Sequence, residues 1–263
     1  MEWLVIILVI VLGIPVAAWF AQEKLIFFPQ PIAATAHLPA RSVPLEVVAA
    51  DGTRLRGWSV KGAVAPAPAV IYFGGNAEEV SWTLSDVRWP REWSIIGVNY
   101  RGYGASEGAP GQTALESDAL GIHDAVVRRD DVDVRRIVMF GRSLGTAIAV
   151  HVAAMRPDAV AGAVLASPYD SMTAIGKLHY PWLPVSLLLR HPFDALDDAK
   201  RNRMPLLAIV GESDSIIPPE RSRVLYDTWV GPKTWLAIPG ADHNDLGERE
   251  EFWQSVATFL ASR

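Results

Sequence analysis

Ile137-Val138-Met139-Phe140-Gly141-Arg142-Ser143-Leu144-Gly145-Thr146-Ala147-Ile148-Ala149 joins two apolar runs through a serine framed by glycines. Its first four residues are apolar without alternation, as in a strand buried on both faces, and the small apolar run from Leu144 reads as a helix packed against it. Between them Gly141 to Gly145 spells G-x-S-x-G. Small residues flank the serine in such a turn because the backbone is strained and strand and helix approach closely. A pattern this short arises by chance, so its meaning comes from the strand before it and the helix after it.

Working outward, the same alternation continues. Strands are predicted over 43–60, folded round an Asp51-Gly52 turn, and over 69–73, 94–99, 137–140, 163–166, 206–210 and 234–238. Helices are predicted over 77–89, 113–129, 144–155, 219–229 and 248–260. This βαβ rhythm implies an α/β fold, a doubly wound and mostly parallel sheet with helices on both faces. Ligands of such sheets bind beyond the carboxyl ends of the strands, so the chemistry is sought just after each strand.

A serine hydroxyl is a poor nucleophile until a base takes its proton, so Ser143 needs a histidine and an orienting carboxylate from elsewhere. Of six histidines, His243 alone follows a strand in a polar loop, 239–245, ahead of the last helix. His123 and His151 fall inside predicted helices, and His179 and His191 lie in a Pro- and Leu-rich insertion. The carboxylate is assigned to Asp214, after the strand 206–210, with Glu212 and Asp170 as competitors. Asp214 also precedes Pro218-Pro219 and could be a helix cap, a duty that one side chain is not expected to combine with orienting a histidine. The oxyanion of acyl transfer needs N–H donors, expected from Leu144 after the nucleophile and from Asn76 in the turn after the strand 69–73.

Composition removes other classes. With 24 Lys+Arg against 29 Asp+Glu the net charge is −5, so no nucleic-acid partner is expected. The absence of cysteine excludes disulfides, thiol nucleophiles and cysteine-ligated metals. The glycines of 102–108 lack the strand-to-helix phosphate turn of a dinucleotide site and no H-E-x-x-H occurs, so neither cofactor nor metal is expected. From Trp3 to Ala21 no charge interrupts an apolar run that would span about 28 Å as a helix. Residues 1–24 are therefore expected to be a transmembrane or signal-anchor helix, with a cleaved signal peptide as the alternative. The residues beyond the apolar run, which include Lys24, Arg41, Arg54 and Arg56, are expected on the cytoplasmic side.

The motifs Phe73-Gly74-Gly75-Asn76, Asn99-Tyr100-Arg101-Gly102-Tyr103-Gly104-Ala105-Ser106-Glu107-Gly108, Gly141-Arg142-Ser143-Leu144-Gly145, Gly211-Glu212-Ser213-Asp214 and Gly240-Ala241-Asp242-His243-Asn244, together with the order Ser143, Asp214, His243, resemble those of α/β-hydrolase superfamily serine hydrolases. Within the superfamily they look like those of the small, membrane-anchored, short-lidded group that includes protein depalmitoylating enzymes. The resemblance implies one hydrolase domain over 25–263 with a short cap at about 171–204. It also implies an acyl-enzyme mechanism on a small-molecule or lipid-like acyl ester, or on an acylated protein. An ester or thioester is expected; a peptidase or amidase, or a noncatalytic membrane-tethered binding module, are the alternatives. Relatives commonly carry His-Gly-Asn where this chain has Gly74-Gly75-Asn76. That histidine braces the oxyanion loop, so a more mobile loop is expected here.

Overall fold

The computed structural model describes residues 2–32 and 37–263, without the side chains of residues 2 and 4–12. A helix, α1 (Glu2–Ile26), precedes the hairpin of β1 (Ser42–Val48) and β2 (Arg54–Val60). The hairpin turns at Gly52, whose φ of +86° suits a residue without Cβ, while Asp51 Oδ1 accepts the Thr53 N–H at 3.0 Å.

Then follow β3 (Ala67–Phe73), α2 (Ser81–Leu84), β4 (Ser94–Val98), α3 (Gln112–Val127), β5 (Val132–Arg142), α4 (Leu144–Met155) and β6 (Gly162–Ala166). After β6 come the short helices α5 (Met172–His179), α6 (Val185–Leu188) and α7 (Leu196–Ala199), and the chain closes with β7 (Leu206–Gly211), α8 (Pro219–Thr228), β8 (Lys233–Ile238) and α9 (Glu250–Ala261). The eight strands form one sheet in the order β1-β2-β4-β3-β5-β6-β7-β8. Only the pairs β1/β2 and β2/β4 are antiparallel.

Strands β3, β4, β6 and β7 are buried along their whole length, as unalternated apolar runs require of a sheet covered on both sides. Alternate residues supply the two layers. Ile71, Met139 and Leu165 face the layer of α3 and α4, whereas Tyr72, Phe140 and Val164 face Phe252, Trp253 and Val256 of α9.

Two boundaries depart from the sequence reading. The helix predicted over 77–89 shrinks to α2, because polar side chains intercept its first turn: Asn99 Oδ1 accepts the Val80 N–H at 3.0 Å and Glu79 Oε2 the Ser81 N–H at 3.3 Å. At its other end the Trp89 indole donates to the Thr83 carbonyl at 2.8 Å. Strand β5 starts at Val132 rather than 137, since its polar first half still finds a partner where Ala67 pairs with Val132.

The membrane reading of residues 3–21 is corrected. Among the described residues no helix is long and apolar enough to cross a membrane, so neither an anchor nor a cytoplasmic placement is assigned. The side chains of residues 4–12 lie outside the description, and the carboxyl end of α1 is tied to the segment after β6. Buried Gln22 donates to the carbonyls of Trp19 at 2.9 Å and Leu188 at 3.1 Å, and its Oε1 accepts the Arg190 N–H at 2.7 Å. Arg190 in turn stands over the Trp19 ring at 5.4 Å and pairs with Glu23 at 3.2 Å.

Behind the sheet, Trp229 is fully buried and its indole N–H donates to the Met204 carbonyl at 2.9 Å. Trp229→Ala is expected to cost about 3–5 kcal/mol, read as a lower urea midpoint at an unchanged slope.

Candidate active site

The turn from β5 into α4 fixes Ser143 in a strained conformation, φ 49° and ψ −117°. Such a conformation costs on the order of 1–3 kcal/mol and persists only where its surroundings enforce it. Here the Ser143 N–H donates to Ala166 O at 2.9 Å, and Thr146 returns two bonds to Ser143 O, from its N–H at 2.9 Å and its hydroxyl at 2.6 Å. The glycines of the motif make the geometry possible. A Cβ on Gly145 would stand 2.1 Å from Phe73 O, and one on Gly141 would stand 2.4 Å from Gly145 O.

The loop after β8 delivers His243. Asp242 shapes that loop by accepting the N–H groups of Ser215 at 2.9 Å and His243 at 2.7 Å, and Gly240 turns it at φ +66°. His243 Nε2 lies 3.0 Å from Ser143 Oγ and Nδ1 lies 2.8 Å from Asp214 Oδ2. Both His243 and Asp214 are buried. With Nδ1 protonated, the imidazole donates to the carboxylate and offers Nε2 as acceptor to the serine hydroxyl.

The structure thus brings Ser143, His243 and Asp214 into one hydrogen-bonded chain. Asp214 also does what the sequence reading held incompatible with this, because a carboxylate has two oxygens. Oδ2 meets His243 while Oδ1 caps the turn, accepting the N–H groups of Ile216 at 3.0 Å and Ile217 at 2.7 Å. Burial pushes the Asp214 carboxyl up, but the bonds from His243 and Ile217 outweigh it and hold the group below the ordinary carboxylate value. The competitors stand elsewhere: Asp170 pairs with Arg221 at 3.0 Å and Glu212 is exposed.

Asn76 and Leu144 line the same cavity as Ser143. The Asn76 side-chain amide is engaged elsewhere: it donates to Ile26 O at 2.5 Å and accepts from Phe28 N at 3.0 Å and the Tyr103 hydroxyl at 2.8 Å. What it can offer an oxyanion is therefore its backbone N–H. Leu144, first in its helix, likewise has an N–H without an intrahelical acceptor.

The cavity holds about 550 Å³ and is overwhelmingly apolar. One wall is a single face of α1, Ile14, Ala17, Ala18, Ala21 and Leu25, and the opposite wall comes from the segment after β6, including Met172, Ile175, Leu183 and Leu188. The sequence reading missed α1 as a wall. The signal was Gln22, a polar residue at the end of an apolar run, too weak to be read without its partners at 188 and 190.

Against known families, residues 84–189 match the α/β hydrolase fold model. An uncharacterized protein of Mycobacterium tuberculosis, Rv2307c, is 36% identical over 91% of this chain and 86% of its own. An α/β hydrolase domain-containing protein of Arabidopsis thaliana, WAV2, is 28% identical over 96% of this chain and 91% of its own. Among solved structures, the acetyl xylan esterase of Paenibacillus sp. R4 superposes with a TM-score of 0.71 at 20% identity, covering 93% of this chain and 92% of that one.

A carboxylate held below its unfolded value stabilises the fold above that value and loses the contribution as pH falls through its folded value. The wild-type protein should therefore lose unfolding free energy on acidification below about pH 4, and Asp214→Asn should lose less over the same window. Urea titrations at a series of pH values check this; identical slopes for the two proteins would contradict the pairing.

Proposed function

The chain belongs to the α/β hydrolase superfamily, and on that footing we propose that it hydrolyses carboxylic esters or thioesters of hydrophobic acyl groups, with Ser143 as nucleophile, His243 as general base and Asp214 as the group that orients the imidazole. One observation carries the reading: a hydrogen-bonded Ser-His-Asp chain opens directly into an apolar cavity.

In this reading His243 Nε2 takes the hydroxyl proton as Ser143 Oγ attacks the acyl carbon, and the ionised Asp214 stabilises the resulting imidazolium. The carbonyl oxygen, now negative, is received by the N–H groups of Leu144 and Asn76. Collapse of the tetrahedral species breaks the bond to the alcohol or thiol, which leaves with the proton from Nε2. Water then gives a proton to the same nitrogen, attacks the acyl-enzyme and releases the acid, restoring Ser143.

The substrate class follows from the walls. A cavity of this volume and lining accepts a flexible aliphatic chain and offers almost no polar partner to a sugar or a peptide. Each methylene buried contributes about 0.8 kcal/mol, close to a fourfold change in kcat/KM, until the cavity is filled. Long-chain thioesters are the members of the class that the resemblance to depalmitoylating enzymes puts first.

A fluorophosphonate should label the full chain at Ser143 and fail to label Ser143→Ala or His243→Ala; an unlabelled, folded wild-type protein would overturn the assignment. Across p-nitrophenyl esters from acetate to palmitate, kcat/KM should rise with chain length. Ala18→Trp, which places an indole against the cavity from α1, should lower the long-chain to acetate ratio by at least about tenfold. A ratio that stays flat in both proteins would remove the acyl cavity from the proposal.

A further inference from the structure

An oxyanion hole divided between two chain segments works only when both donors keep their places to within about 0.5 Å. Here one donor is on the turn into α4 and the other on the loop after β3, so something must fix the distance between them. Contact at Gly145 sets a lower limit, since a Cβ there would stand only 2.1 Å from Phe73 O and 2.6 Å from Gly74 O. It does not stop the loop from moving away.

Glu78 supplies a tie. Its side chain is 9% exposed, and Oε2 accepts the Gly75 N–H at 2.7 Å and Arg142 Nη1 at 3.2 Å. Its other oxygen accepts the hydroxyls of Tyr72 on β3 and Thr83 on α2, both at 2.6 Å. Arg142 precedes the serine, and its Nη2 donates to the His243 carbonyl at 3.4 Å. A single carboxylate thus connects the floor of the sheet, the loop carrying Asn76, the turn carrying Ser143 and, through Arg142, the loop carrying His243.

The space it fills is informative. A Cβ at Gly74 would stand 3.4 Å from Glu78 Cδ, so the carboxylate packs directly against the position where a side chain at 74 would begin. Stability gives little reason to keep such a pair, because the desolvation of a buried carboxylate and a half-buried guanidinium offsets much of their attraction. Geometry at the serine does.

We propose that the Glu78–Arg142 ion pair is the brace of the oxyanion loop, and that Glu78 and Arg142 are positioning residues holding the Asn76 N–H in register with the Leu144 N–H. The inference rests on the reading of Ser143 as nucleophile. It replaces the expectation of a mobile loop at Gly74 with a fixed one.

The test is steady-state kinetics of the full chain on p-nitrophenyl butyrate, with thermal unfolding recorded for each variant. Arg142→Gln and Glu78→Gln should each lower kcat by about 10- to 100-fold with KM within about threefold, because misplacement affects the transition state and not the bound ester. The double variant should be no slower than the slower single one, since each removes the same tie. Glu78→Gln, which keeps an oxygen for the Gly75 N–H, should retain more activity than Glu78→Ala.

Wild-type kcat in Arg142→Gln, losses that multiply in the double variant, or a rise in KM alone would each overturn the brace. Arg142 is 29% exposed, so its variant decides the matter even if Glu78 variants do not fold. Fluorophosphonate labelling of the wild type separates the two levels. An unlabelled wild type overturns the hydrolase mechanism, and with it the brace; labelling together with a fully active Arg142→Gln overturns the brace alone.

Discussion

Helix α4 meets the carboxyl end of β3 backbone to backbone. Gly145 lies so close to the carbonyls of Phe73 and Gly74 that any side chain there would collide with backbone. This contact forces the chain to leave β5 through a turn that no unstrained serine would choose, and the turn lifts Ser143 to the edge of the sheet. Everything else in the site is held relative to that edge. Strand β6 fastens the turn from one side through Ala166, and β7 and β8 bring Asp214 and His243 to the other. The strain is carried by a centre of six parallel strands, β4, β3, β5, β6, β7 and β8, whose interior is closed on both faces.

Much of this was legible because the signals were local and mutually consistent. Unalternated apolar runs marked strands covered on both sides, and polar loops after three of them marked where Ser143, Asp214 and His243 would meet. What resisted reading depended on which long-range partner a polar group chooses. Glu78 and Glu79 look like solvent-facing residues at the start of a helix; in the fold they turn inward and shorten that helix. Asp214 looked as though it must be either a cap or a partner for histidine, because a sequence shows a residue and not its two oxygens. Arg142 stood in plain view as the variable position of the motif, where no pattern assigns it a duty.

The N-terminal run carries the sharpest lesson. Apolar composition reports that a surface will be hidden from water and says nothing about what hides it. Length and hydrophobicity pointed to lipid; in the carboxyl half of the helix one face lines a cavity and the buried Gln22 amide bonds the segment after β6, while Ile14, Val16, Phe20 and Leu25 keep much of their surface exposed. The polar residue at the end of the run is what distinguishes the two fates, because a buried Gln demands partners that only a folded body can supply.

The side chain of Asn76 fastens the end of α1, through Ile26 and Phe28, to the very loop whose backbone faces the serine. Cavity wall and the loop beside Ser143 thus share one rivet. In the divergence of such chains this sets a rule of inheritance: the first helix cannot be traded between relatives as a cassette to change the molecules they accept. Substitutions that reseat it also pull on Asn76, so a lineage that reshapes the cavity must adjust both in concert.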